Sequence, residues 1–370
     1  MPSGVPEAVV RAAEVVLPCT ELDETLAFYT QRLGFRVAAI FPADNPRVAV
    51  VAGHGLRVRL EKGRVGDPGV LRLLCDDPAA VAGGESHLTA PNGTRIELLA
   101  WETPLVVPEA RPSFALTRMG KEAAWGAGRA GMLYRELVPD RQGGRFIASH
   151  IRIPEGGPVP DYVHFHRIRF QMIYCYKGWV RVVYEDQGPA FVLEAGDCVL
   201  QPPLIRHRVL ESSAGLEVIE ISCPAEHETL ADLDQELPTN GLRPDRDFVG
   251  QRFIWHRANA ATWSPARVPG FESRDLGIGR ATDGLAAAHV ARWRGSASPP
   301  LSTHDAAFLF HFVLAGEATL RREGHRAEPL GAGDAVVIPP GLKHAIAGSS
   351  HELELLQVGL PGGFVTQLHE

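Results

Sequence analysis

Apolar positions recur in many short strand-like segments, separated by turns rich in glycine and proline, along almost the whole chain. The 38 glycines and 29 prolines among 370 residues favour turns over long helices, so the expected class is mainly β. The clearest helical spacing lies near the start. Residues 14–61 predict a strand at 14–18 and a helix near 22–33 with Leu22, Leu26, Tyr29 and Leu33 on one face, followed by three strands. Gly34 stands where a helix-ending glycine is expected. Further on, LTAPNGTRIELLAW reads as a hairpin turning at Asn92-Gly93.

The stretch from Gly157 to Glu211 carries the candidate chemistry. In an extended strand alternate side chains share a face, so His164 and His166 point the same way, and a later strand can bring His207 opposite them. Imidazole is the commonest protein ligand for divalent transition metals. With the side-chain carbonyl of Gln171, the three histidines make a set of four neutral ligands. The plainer reading makes them polar residues near a barrel mouth, and Gln171 a hydrogen-bond partner of a bound water. Against it stands their joint occurrence with ordered glycine and proline turns.

A repeat of about 100 residues supports this view. Without a gap, Arg135, Leu137, Arg141, Ala148 and His150 align with Arg274, Leu276, Arg280, Ala287 and His289. Further along, His166 meets His304, Gly178 meets Gly316, and GDCVLQPPLIRH meets GDAVVIPPGLKH, pairing His207 with His344. At the positions of His164 and Gln171 the second copy has Ser302 and Leu309. His311, two residues beyond Leu309, shares its strand face, so His304, His311 and His344 form a possible second site. His289 and its aligned partner His150 are candidates to point inward.

These motifs resemble the cupins, small jelly-roll β-barrels whose pattern is a glycine, HxH, a glutamate and a glycine, then G(x5)PxG(x2)H(x3)N. The first copy matches through Gly157, His164, His166, Gly178, Gly196, Pro202 and His207, with Gln171, Leu204 and Glu211 replacing the usual glutamate, glycine and asparagine. The βαβββ order of residues 12–101, with LAFYTQRLGF and GTRIELL, resembles the vicinal oxygen chelate (glyoxalase and extradiol-dioxygenase) fold. That resemblance places Glu14, Glu61 and Glu97 at ligand positions, but its second module offers no histidine and is expected to lack the helix, which implies a degenerate domain. The expected organisation is thus an α+β vicinal oxygen chelate-like domain (12–101), a linker (102–130), cupin domain 1 with the metal site (131–224), a connection (225–267) and cupin domain 2 (268–362).

A net charge of −7 gives no support to nucleic-acid or acidic-membrane binding, and no apolar run approaches the length of a membrane span. Cys19, Cys75, Cys175, Cys198 and Cys223 form an odd set without a CxxC pair, so free thiols in a reducing, cytoplasmic setting are expected. The resemblance implies a mononuclear bicupin enzyme on a small-molecule substrate, an Fe(II) dioxygenase first, with Zn, Ni, Mn or Cu as other ions. The alternatives are a non-redox isomerase, cyclase or lyase, and a non-catalytic binding protein. Candidates to stand around the ligands are Tyr174, Tyr176, Arg169 and Glu220, but the inward parity from Gln171 runs through Ile173 and Cys175, so the two tyrosines are expected to face outward. Arg152 and Arg206 are candidates to meet an acidic substrate, with solvated arginines as the plainer reading. A homodimer is the expected assembly.

Overall fold

A computed structural model describes residues 11–369 apart from 86, 121, 122 and 349, and the chain divides into two compact units at Pro104. In the first unit the expected helix runs Leu22–Ala27 and continues as a wider turn over Phe28–Arg32 before Gly34, at φ 74°, ends it. Its buried face, Leu22, Tyr29 and Leu33, covers a sheet with the order Val15–Cys19, Leu56–Lys62, Val48–Gly53, Arg36–Phe41, so the βαβββ order is present. Strand Val70–Cys75 then runs parallel to Arg95–Ala100, which pairs back to His87–Thr89 across the turn at Gly93. The expectation that the second half lacks a helix is corrected. Pro78–Ala82 is helical, with Asp77 accepting Ala80 N–H at its start and Gly83 closing it in the left-handed region. Five residues are too few to show a periodic face in sequence. What this half has less of is strands, three against four.

The second unit holds the two copies of the repeat, each folded as two facing antiparallel sheets. Their larger sheets face one another across a shared core that includes Phe146, Phe170 and Tyr174 from the first copy and Phe308, Phe310 and Phe312 from the second. Phe146 stacks on Phe308 with centroids 4.5 Å apart. Burying each such ring contributes about 1.5–3 kcal/mol. Tyr174 does face away from its own barrel, as its strand parity requires, but it is buried between the barrels rather than exposed to solvent.

The two connecting segments do more than connect. Within the expected linker, Ala115–Thr117 pairs with Ala335–Ile338 and so belongs to the sheet of the second barrel. Within the expected connection, Ile254–His256 pairs with Cys198–Leu200 of the first barrel, and Glu228–Ala231 pairs with His164–Arg167. Each barrel therefore receives a strand from the segment that precedes the other.

One alignment made from sequence shifts by a residue. Arg135 lies opposite His150, but Arg274 lies opposite Val290, because the second copy has one more residue between the paired positions. A one-residue slip sends a side chain to the other face of its sheet. Accordingly His289 lines the cavity of its barrel, while His150 points to the interface, between Arg135 and Glu217. All five cysteines are free, and no helix among the described residues is long and apolar enough to cross a membrane.

Candidate metal centre

His164 sits directly opposite His207 in the pairing of strands His164–Arg167 and His207–Ser212, and His166 follows on the same face. The three rings offer ligand atoms that all lie within 4.8 Å of one another. Each ring is held from behind. His164 Nδ1–H donates to Tyr162 O at 2.9 Å and His207 Nδ1–H to Ile205 O at 3.0 Å, which leaves the lone pair on Nε2. His166 Nδ1 meets Thr229 Oγ1 at 3.0 Å. Such outer partners orient metal-binding imidazoles and select their tautomer.

Burial holds these rings in the neutral form, followed by the Arg129 charge at His164 and by repulsion from neighbouring histidines at His166 and His207. His166 is pushed down to about 2, and His207 lies well below the ordinary histidine value. Neutral imidazole is the form that binds a metal. Gln171 is buried on the same cavity, and its Oε1 has no hydrogen-bond partner. An orphaned buried carbonyl costs about 1–3 kcal/mol, and a cation would satisfy it. The residues present therefore fit a divalent ion: three nitrogens and one amide oxygen, all uncharged.

The sequence reading did not find Arg129. Its Nη2 donates to His164 Nε2 at 2.7 Å and its Nη1 to Asp161 Oδ1 at 2.9 Å, so a positive group already rests on one of the candidate ligands. Asp161 is buried and also accepts Val209 N–H at 2.9 Å. Arg129 comes from the expected linker and Thr229 from the expected connection, segments without a motif to flag them. Asp161, three residues before His164, was visible but belongs to no pattern the family imposes.

Below the histidines lies a cavity of about 510 Å³, with Glu220, one of the expected groups, on its wall. The other expected groups lie elsewhere. Tyr176 packs on Phe312 at 5.1 Å, at the barrel interface. Arg152 pairs with Glu217 over Trp125, and Arg206 pairs with Asp232 over Phe165. Neither arginine lines the cavity.

In the second barrel Ser302 faces His344, and His304 is the one histidine of the HxH pair that remains. Leu309, in the place of Gln171, packs with Ala306 and Phe364. The rings of His304 and His344 stand 5.8 Å apart, and His311 is occupied by Gln357, whose Nε2 donates to His311 Nε2 at 3.0 Å. Among the described residues, His304, His311 and His344 do not converge as the first three do. They line a smaller cavity of about 290 Å³, where burial pushes His304 down to about 4 and His311 to about 3.

Residues 289–359, within the second barrel, match the family Cupin_2, the cupin domain. No curated protein sequence matches the chain. Among solved structures, Bacillus subtilis oxalate decarboxylase at pH 4.6 is 15% identical and superposes with a TM-score of 0.51 over 72% of this chain and 80% of its own. The Lactobacillus farciminis oxalate decarboxylase in complex with formate is 14% identical, with a TM-score of 0.51 over 71% of this chain and 89% of its own. At such identities the likeness speaks for the fold. The chain is mainly β, with two cupin-like barrels as in the bicupin structures it resembles.

Proposed function

We propose that the first barrel is the active site of a metal-dependent enzyme that works without a redox step, as an isomerase, cyclase or lyase. The carrying observation is the convergence of three neutral, backed imidazoles beside the orphaned carbonyl of Gln171. A bound divalent ion, whether Fe(II), Zn, Ni, Mn or Cu, supplies a Lewis acid with its positive charge uncompensated by the protein, suited to chelating anionic oxygens.

The chain's own groups then have distinct tasks. Tyr162 O, Ile205 O and Thr229 Oγ1 keep the rings aimed at one point. Arg129, free to turn from His164 once that nitrogen is engaged, presents a guanidinium to a carboxylate or enolate at the mouth. Glu220 is the carboxyl on the cavity wall placed to take up or return a proton. The apolar wall excludes water. The structures that the chain resembles are named as decarboxylases, which favours the lyase reading over an Fe(II) dioxygenase.

The first unit we read as a degenerate vicinal oxygen chelate domain. Each carboxylate at a ligand position is taken by arginine: Glu14 by Arg57, Glu61 by Arg59 and Arg64, Glu97 by Arg72 and Arg95. We place the barrels at 131–224 and 268–362, with the outlying strands described above added to each.

Elemental mass spectrometry of the purified protein beside a His164→Ala/His166→Ala variant tests the site, with a single equivalent of transition metal expected in the former and background in the latter. Turnover of keto-acid or enolisable substrates that persists without oxygen supports the non-redox reading. Oxygen uptake matching substrate loss replaces it with the dioxygenase.

A further inference from the structure

The cavity of the first barrel has a graded wall, and the strand register shows the gradient directly. At the metal end Gln171 lies beside Ser222, which lies beside Ile147. Two residues along, about 7 Å further by strand rise, the row is Ile173, Glu220 and Ser149. The next row is Cys175, Val218 and Ile151, and beyond it Leu216 pairs with Ile153. The opposite sheet adds Val180, Val182 and Leu193. Polarity thus falls from a ligand row, through one row with a carboxyl, to a mainly apolar chamber that extends about another 14 Å and includes one phenol, Tyr134, opposite Ile151.

A two-carbon dicarboxylate would occupy no more than the space of a few water molecules, each about 30 Å³ in the liquid. Most of a cavity of about 510 Å³ would stay void behind it, against mainly apolar walls that gain little from water. The Glu220 carboxyl accepts Ser222 Oγ–H at 3.3 Å through Oε1, and through its other oxygen it can receive a second donor.

Building on the metal-site reading, we infer that the substrate of this barrel is elongated. It has a bidentate oxygen head at the histidines, a hydrogen-bond donor such as a hydroxyl or amine one row inward at Glu220, and an apolar body in the chamber beyond. The apolar body distinguishes it in class from oxalate.

Binding to the cobalt-loaded full-length protein, followed by its visible d–d absorption, tests this without turnover. The probes are oxalate and straight-chain alkyl hydroxamates from acetohydroxamate to octanohydroxamate. Each added methylene is expected to tighten binding about fourfold until the chamber is filled. The longer chains should exceed both acetohydroxamate and oxalate. Six-aminohexanohydroxamate should lose about tenfold in affinity in Glu220→Gln, while unsubstituted hexanohydroxamate keeps its affinity there and shows that the variant is folded. Cobalt bands that are present but respond equally to every chain length, or most strongly to oxalate, overturn the inference and leave the metal site standing. Bands absent from the wild type, or unchanged in His164→Ala/His166→Ala, overturn the metal site and this inference with it. Equal loss of both six-carbon probes in Glu220→Gln removes Glu220 from the recognition.

Discussion

Asp197 and Asp334 occupy the same corner of the two barrels, and each accepts a backbone N–H from the strand segment supplied across the interface. Ala258 N–H reaches Asp197 at 2.8 Å and Met119 N–H reaches Asp334 at 2.7 Å. The glycine before each is in the left-handed region, with φ 95° at Gly196 and 91° at Gly333. A Cβ there would come within 3.0 Å of Ala258 and 2.7 Å of Met119 respectively. Arg152 over Trp125 at 4.4 Å is repeated by Arg292 over Trp263 at 4.0 Å. At the other end of the barrels the likeness stops: His164 faces His207 but Ser302 faces His344, and Gln171 is matched by Leu309 under Phe364. The corner is held by packing that both barrels share, so neither copy can alter it alone. The ligand end answers only to what it binds, and in the second barrel it has Ser302 and Leu309 in place of two of the candidate ligands and keeps a smaller cavity.

The largest expected effect breaks the comparison at the ligand end. His207→Ala should reduce metal content to background, whereas the matching His344→Ala should leave it unchanged. The same contrast should appear in thermal unfolding, since a ligand at a hundred times its Kd stabilises the folded state by about 2.7 kcal/mol. A metal-induced rise in Tm should be present in wild type and His344→Ala and absent in His207→Ala. Equal loss of metal in both variants would show that the second barrel holds an ion too.

The next effect tests the shared corner. Asp334→Ala leaves Met119 N–H and Gly331 N–H without their acceptor and releases Arg118. Asp197→Ala leaves Ala258 N–H and Glu194 N–H in the same condition. These donors belong to half-buried or exposed residues, so at about 0.5–1.5 kcal/mol for each hydrogen bond lost both substitutions should cost roughly 1–3 kcal/mol and shift the urea midpoint by similar amounts. A large shift in one and none in the other would show that the two corners do not carry equal weight.

Much of this difference was legible in the sequence. The repeat, the shared face of His164, His166 and His207, and the replacement of His164 and Gln171 by Ser302 and Leu309 in the second copy follow from residue spacing, because a barrel's turns and inward strand faces impose fixed intervals. Leu204 shows how strict those intervals are: it stands at φ 65°, in the conformation that Gly341 takes at 76° in the second copy. Arg129, Thr229 and the exchanged strands were not legible, since they arrive from segments whose places are set by contacts between barrels and not by local pattern. The single added residue before His289 was also hidden. A gapless match of side-chain types cannot reveal a slip that only strand pairing shows, and so the inward direction expected for His150 was wrong while that for His289 was right.

That slip supplies the smallest and sharpest test. Because His150 faces the interface, Arg135 Nη2–H donates to its Nδ1 at 3.0 Å and its own Nε2–H donates to Glu217 Oε2 at 2.7 Å, an arrangement that requires the neutral ring. Although burial alone would raise Glu217, His150, Lys177 and Arg152 hold its carboxyl down at about 2, against an ordinary 4.5. Burial holds His150 below its ordinary 6.5. For both groups the unfolded chain binds protons more readily, so stability falls as pH falls. The histidine contribution begins to be lost as pH drops below 6.5, and the Glu217 contribution is present above 4.5 and lost between there and about 2. In Glu217→Gln, Tm by circular dichroism should be lower at neutral pH and decline less steeply across the lower window, converging on wild type near its acid end. His289 instead lines its own cavity, with Asp275 3.9 Å from its Nδ1. An identical slope in Glu217→Gln and wild type would mean that the buried pair adds nothing to the interface beyond its packing.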